Sequence, residues 1–176
     1  NEMTEALPDV LKFSIALLSI INPLGAIPVF LGLTKQNKKL SIKRVTNTCS
    51  IATTVTILLS LFLGQRILNF FGISVASFTI GGGMLLFTMA FSMISAHQSN
   101  AKINDQEMES FDYEREVGII PLAIPLLSGP GAISTSIISA KHFTTSYHWL
   151  FATLAVFVIG IIIKIILTYA QTIGDR

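Results

Sequence analysis

Residues 21–28 read Ile21-Asn22-Pro23-Leu24-Gly25-Ala26-Ile27-Pro28. Two prolines and a glycine fall inside an uncharged run, Phe13–Thr34, that is 22 residues long. A run of about 20 apolar residues is long enough to cross a bilayer as a helix. Proline removes a backbone donor and clashes with the preceding turn, and glycine adds conformational freedom. The expectation is a membrane-crossing helix broken near its middle. Hydrocarbon offers no hydrogen bonds to broken backbone, so such a break persists only where protein covers it or where it lines a cavity.

A second stretch of the same kind lies in the run Val117–Ala140. Pro121 and Pro125 precede Leu127-Ser128-Gly129-Pro130-Gly131-Ala132-Ile133-Ser134. Gly25-Ala26-Ile27 recurs 106 residues later as Gly131-Ala132-Ile133, and Asn22 aligns with Ser128. The prolines are offset by one, with Pro130 beside Leu24 rather than Pro23. Three further uncharged runs, Val45–Gln65, Ile67–Ala101 and His142–Ile163, complete the pattern. Spans are expected near Val10–Leu33, Ile42–Gly64, Phe70–Ile94, Val117–Ala140 and Trp149–Ala170. Three spans separate one copy of the motif from the next, so the copies point in opposite directions. Paired interrupted helices in inverted repeats are a sequence pointer to a transporter's binding site.

The fold class expected is all-α: a polytopic membrane helix bundle of five spans, built as inverted three-span repeats with the last span absent. Residues 1–176 form one membrane domain. Residues 1–95 are the first repeat, 96–116 an acidic cytoplasmic linker, and 117–176 the second, incomplete repeat. Only 22 of 176 residues are charged, and mean hydropathy is +0.67. A soluble domain carries about twice that fraction of charge. A soluble globular protein, a disordered chain and a nucleic-acid partner are excluded on that ground. The lipid bilayer is the expected partner. The first span follows Glu2, Glu5 and Asp9 rather than a basic segment, and it reads as a retained helix rather than a signal peptide.

The basic residues orient the chain. Lys35, Lys38, Lys39, Lys43, Arg44, Lys102, Arg115 and Arg176 fall on one side, against Lys12, Arg66 and Lys141 on the other. The positive-inside rule then puts the N-terminus outside and the C-terminus in the cytoplasm. Trp149 and Tyr169 fit interfacial anchors at the two ends of the fifth span. Every acid falls outside the spans, and His97, His142 and His148 sit at span edges. Proton relays keep an ionisable group at depth, so simple proton coupling is disfavoured. Catalysis within the bilayer also lacks a base, and no enzyme activity is expected. Lys164 alone lies deep within a span, either snorkelling to the interface or serving as a counter-charge. Cys49, the single cysteine, reads as a packing residue. No cofactor or metal pattern is present; the acidic linker has no ligand spacing.

The breaks also suggest a ligand class. Half-helix N-termini present N–H groups and a positive dipole end to an anion such as a carboxylate. Freed carbonyls, with Asn22 and Ser128, suit an ammonium or a small cation. A zwitterionic solute satisfies both. The plainer alternative is two kinked helices that pack closely because their residues are small. Thr46, Ser50, Thr53 and Ile57 form a helical stripe on span two that reads as interhelical packing rather than a lined path. Gly81-Gly82-Gly83 in span three allows close approach or bending.

Asn22-Pro23-Leu24-Gly25-Ala26-Ile27-Pro28-Val29-Phe30 resembles the signature of the MarC family of bacterial inner-membrane proteins. Pro121-Leu122-Ala123-Ile124-Pro125-Leu126-Leu127-Ser128-Gly129-Pro130-Gly131-Ala132-Ile133 resembles its second signature, and Phe71-Gly72-Ile73-Ser74 with Ile80-Gly81-Gly82-Gly83 resembles its third span. The resemblance covers essentially the whole chain. It implies a six-span fold of two three-span repeats, similar to LysE-type exporters, with some relatives described as neutral amino-acid transporters. Carried onto this chain, it makes Asn22, Pro23, Gly25 and Pro28, with Ser128, Gly129, Pro130 and Gly131, the expected central substrate site. The sixth span implied by the family is not reached by Arg176. The function expected is therefore transport or export of small solutes such as neutral amino acids. The alternative is a non-transporting assembly partner, with a homo-oligomer or another chain supplying the missing helix.

Overall fold

The computed structural model describes residues 2–36, 41–94 and 127–174, and its regular structure there is entirely helical. In chain order the helices are α1 (Glu2–Ile21), α2 (Ile27–Gln36), α3 (Ile42–Phe70), α4 (Val75–Ile94), α5 (Pro130–Ala140) and α6 (Ser146–Gly174). The linker 96–116, and the first part of span four with Pro121 and Pro125, lie outside the described residues. Among the described residues two helices are long and apolar enough to cross a membrane, Ile42–Phe70 and the Ser146–Ala170 part of α6.

The ends of several helices differ from the sequence expectation, and polar residues explain why. Helix α1 starts at Glu2, ahead of the apolar run. Helix α3 runs past Gly64 to Phe70, taking in Gln65 and Arg66. Gln65 Nε2 donates to Asn69 Oδ1 at 2.7 Å, one turn on. The turn that follows uses Gly72 at φ 67°, which glycine adopts without steric cost. Helix α4 therefore begins at Val75, not Phe70.

Helix α6 packs on α1, α2 and α3, while α5 packs on α1, α3 and α4. Phe13, Leu17 and Ile21 form one stripe of α1 and join Val45, Ile57 and Leu61 of α3 with Val156, Ile163 and Leu167 of α6 in a single core. Cys49 is a buried free thiol within it. Glycines set the closest approaches. A Cβ on Gly64 would collide with Ile137, one on Gly82 with Pro130, and one on Gly160 with Thr54. At the last of these, Ser50 Oγ donates to the Gly160 carbonyl at 2.6 Å. Small residues and interhelical hydrogen bonds of this kind hold helices together in lipid, where hydrophobic attraction between them is absent. The outward faces are apolar: Ile51, Phe62, Phe157 and Ile161, and on α4 Ile80, Met84, Phe87 and Phe91, are all exposed.

Candidate functional site: the two helix breaks

The first break is a turn over Asn22–Ala26 between α1 and α2. Asn22 N–H still donates to Leu18 O at 3.1 Å, but Asn22 has φ 42° and ends the helix. Asparagine is among the few side chains that take the left-handed region readily. Gly25 N–H donates to Asn22 O at 2.9 Å and reaches Asn22 Oδ1 at 3.2 Å. A Cβ on Gly25 would lie 2.6 Å from Asn22 Nδ2, so a larger residue there has to displace the Asn22 amide. Ile27 N–H donates to Leu24 O at 3.2 Å, and Phe30 N–H to Ala26 O at 2.9 Å, which starts α2. Pro23 and Ala26 are buried; Asn22, Leu24, Gly25 and Pro28 are exposed.

The second break has different surroundings. Leu127, Ser128 and Gly129 are buried, and Pro130 and Gly131 are half-buried. Gly129 is the N-cap of α5, and Pro130 opens the helix, where a missing N–H costs nothing and a fixed φ helps. Ile133 N–H donates to Gly129 O at 3.1 Å. Ser134 and Ser136 turn their hydroxyls onto their own helix, to Gly131 O at 3.1 Å and Ala132 O at 2.8 Å.

The fold brings the apolar flanks of the two breaks together. Ile21, Ala26 and Phe30 share one core with Leu127 and Ala132. It does not turn their polar parts the same way. Asn22, Gly25 and Pro28 face outward, whereas Ser128 and Gly129 face the protein interior. The span-two stripe is buried at all four positions, and Ser50 uses its hydroxyl for packing against α6. Lys164 is exposed on α6.

One polar cluster was underweighted by the sequence. His148 is 4% exposed at the start of α6. Its Nδ1 accepts from Thr145 N–H at 3.3 Å and lies 2.7 Å from Thr145 Oγ1. Nε2 therefore carries the proton of the neutral ring, 3.9 Å from Asp9 Oδ2. Phe143 stacks on the imidazole at 5.5 Å. A cavity of about 210 Å³ beside it is lined by Asp9, Lys12, His142 and Phe143 among others. The Thr145-x-x-His148 spacing at a helix start was the available signal. Trp149, expected as an interfacial anchor, is half-buried and stacks on Phe62 at 5.2 Å.

Among the described residues, helices alone, two of them of membrane length, with apolar outward faces and glycine-seated packing, fit an integral membrane protein. The chain belongs to the MarC family: its residues 7–176 match the MarC family integral membrane protein. It is 39% identical over 152 residues to the UPF0056 membrane protein YhcE of Escherichia coli (strain K12), covering 85% of this chain and 71% of that protein. It is 41% identical over 133 residues to a UPF0056 membrane protein of Pyrococcus abyssi, covering 76% of this chain and 64% of the relative. A UPF0056 membrane protein of Methanocaldococcus jannaschii is 34% identical over 167 residues, covering 95% of this chain and 80% of the relative. The family therefore spans bacteria and archaea. No solved structure matches the chain.

Proposed function

We propose that the protein is a transporter of small zwitterionic solutes, such as neutral amino acids, in the bacterial inner membrane. Residues 1–176 supply five spans of two inverted repeats, with residue 1 on the outer side and residue 176 on the cytoplasmic side. The observation that carries this reading is a correspondence between α3 and α6 at the same 106-residue offset that relates the two breaks. Thr46, Ser50, Thr53, Ile57, Leu61 and Gly64 are buried on α3. Adding 106 gives Ala152, Val156, Ile159, Ile163, Leu167 and Ala170, and all six are buried on α6. Matching helical stripes alone fix the offset only to within a turn. The closest approach is more specific. Thr54 and Gly160 are equivalent under that offset, and they touch each other, as residues beside a two-fold axis do. The packing of α5 on α3 likewise has its counterpart in that of α2 on α6.

Within such a repeat, α2 and α5 are the second halves of broken spans, and their N-termini suit a carboxylate. Asn22, Pro23, Gly25 and Pro28, with Ser128, Gly129, Pro130 and Gly131, are the residues proposed to form the path. The test is flux of a panel of neutral amino acids in proteoliposomes, with Gly25→Val and Gly131→Val. Loss of flux by tenfold or more in either variant, with helicity retained by circular dichroism, is the expected result. Unchanged flux of every solute in both variants counts against transport through the breaks.

One observation favours a second reading, a non-transporting assembly partner. Asn22, Leu24 and Gly25 are exposed, and lipid does not tolerate uncovered broken backbone. A neighbouring helix from another chain would cover them. Crosslinking from a cysteine at Leu24 tests it. A stable adduct together with absent flux supports assembly, and measurable flux from a monomer overturns it.

A further inference from the structure

Helices α3 and α6 leave a groove of about 290 Å³ on the outer face of the bundle, lined on one side by Ile51, Thr54 and Val55 and on the other by Phe157, Gly160 and Ile161. Its floor is made of small residues whose hydroxyls are already used. Ser50 Oγ donates to Gly160 O at 2.6 Å, and Thr54 Oγ1 donates to Ser50 O at 2.8 Å. No unmet donor is left in that floor to recognise a polar solute. Its walls are apolar and exposed, with Ile51, Val55, Phe157 and Ile161 all on the surface. The groove is thus suited to a hydrocarbon chain.

One end carries a charge. Leu58, on α3, closes the opposite end. On α6, Lys164 follows Gly160 by four residues and Ile161 by three, which puts it on the same helical face. It is exposed, and the ion pairs among the described residues do not include it. Gly160 is the midpoint of the 29-residue α6. Lys164 therefore sits about 6 Å from the middle of the helix toward its C-terminal end. The half-thickness of the hydrocarbon core is about 15 Å. A snorkelling lysine at this height extends toward the headgroups of the leaflet on that side, directly above the groove.

We propose that this groove binds one anionic phospholipid, its acyl chain lying between Ile51/Val55 and Phe157/Ile161 and its phosphate paired with Lys164. The charge decides between occupants. A second copy docked face to face on the same groove would bring two Lys164 ammoniums into one low-dielectric patch with no acid on α3 or α6 to meet them, which is costly. A lipid phosphate supplies the missing counter-charge. The site is independent of whether the breaks conduct a solute.

The experiment is native mass spectrometry of the purified full chain, titrated with phosphatidylglycerol and, separately, phosphatidylcholine. The wild type is expected to hold phosphatidylglycerol about fivefold more tightly, the scale of one lysine near a membrane surface. Lys164→Leu should bring the two lipids to parity, and Lys164→Arg should keep the preference. Ile161→Trp, which fills the groove from an exposed position, should weaken phosphatidylglycerol while leaving Lys164 in place; circular dichroism checks that each variant is folded. A preference that survives Lys164→Leu, or phosphatidylglycerol binding untouched by Ile161→Trp, overturns the proposal. So does a dimer whose interface excludes lipid from the groove.

Discussion

The two helix breaks share the tripeptide Gly-Ala-Ile and little else of their surroundings. At the second, Leu127, Ser128 and Gly129 are buried, and Pro130 rests against Gly82 of α4. At the first, Asn22, Leu24 and Gly25 stand exposed. The difference comes from packing: α5 meets α1, α3 and α4, and α4 sets Gly82 against Pro130. A broken helix in lipid depends on what covers it, so similar motifs acquire different stabilities from their neighbours. The second break is held by tertiary contact. The first is held chiefly by its own turn, through Asn22 and Gly25.

That contrast is most easily broken at Gly82. A Cβ there would overlap Pro130, whereas nothing lies within 4 Å of one at Gly81 or Gly83. Gly82→Leu should therefore destabilise the folded protein by about 1–3 kcal/mol, the usual cost of overpacking. Gly81→Ala and Gly83→Ala should be neutral or should stabilise by up to about 1 kcal/mol, the helix-propensity gain. Thermal unfolding in detergent followed by circular dichroism measures all three. Equal effects at the three positions would mean that α4 does not seat the second break.

A middle-sized effect is expected at Asn22. Asn22→Ala places a Cβ-bearing residue with no local hydrogen-bonding group in the left-handed region, at a cost of about 1–2 kcal/mol. It also removes the Oδ1 contact to Gly25 N–H. The same unfolding assay reads the loss. A change as large as that of Gly82→Leu would show that the first break, too, depends on tertiary contacts.

Much of this was legible in the sequence. Uncharged runs marked α3 and α6, because helices in lipid must be apolar over their length. Asn22, Pro23 and Gly25 marked the turn between α1 and α2, and Gly129 and Pro130 marked the start of α5, because their backbone chemistry acts locally. What could not be read was long-range. Gly81, Gly82 and Gly83 are indistinguishable in sequence, and only packing singles out Gly82. The burial of His148 depends on Phe143 stacking from outside its helix. The outward turn of Asn22 and the inward turn of Ser128 depend on which helix lies beside each. A motif specifies a break, but not its exposure.

The smallest effect is the sharpest test of how the first break holds itself. Asn22→Gly keeps the left-handed backbone at no steric cost. It deletes the Oδ1 acceptor, but Gly25 N–H still has Asn22 O at 2.9 Å, the shorter of its two contacts. No donor is orphaned, so the large penalty for an unmet buried group does not apply. The substitution also raises the flexibility of the unfolded chain, which works slightly against folding. The net change in unfolding free energy should stay below about 0.5 kcal/mol, against about 1–2 kcal/mol for Asn22→Ala. If glycine instead costs as much as alanine, the side chain of Asn22 holds the turn rather than its backbone conformation. The first break would then rest on one amide, where the second rests on a neighbouring helix.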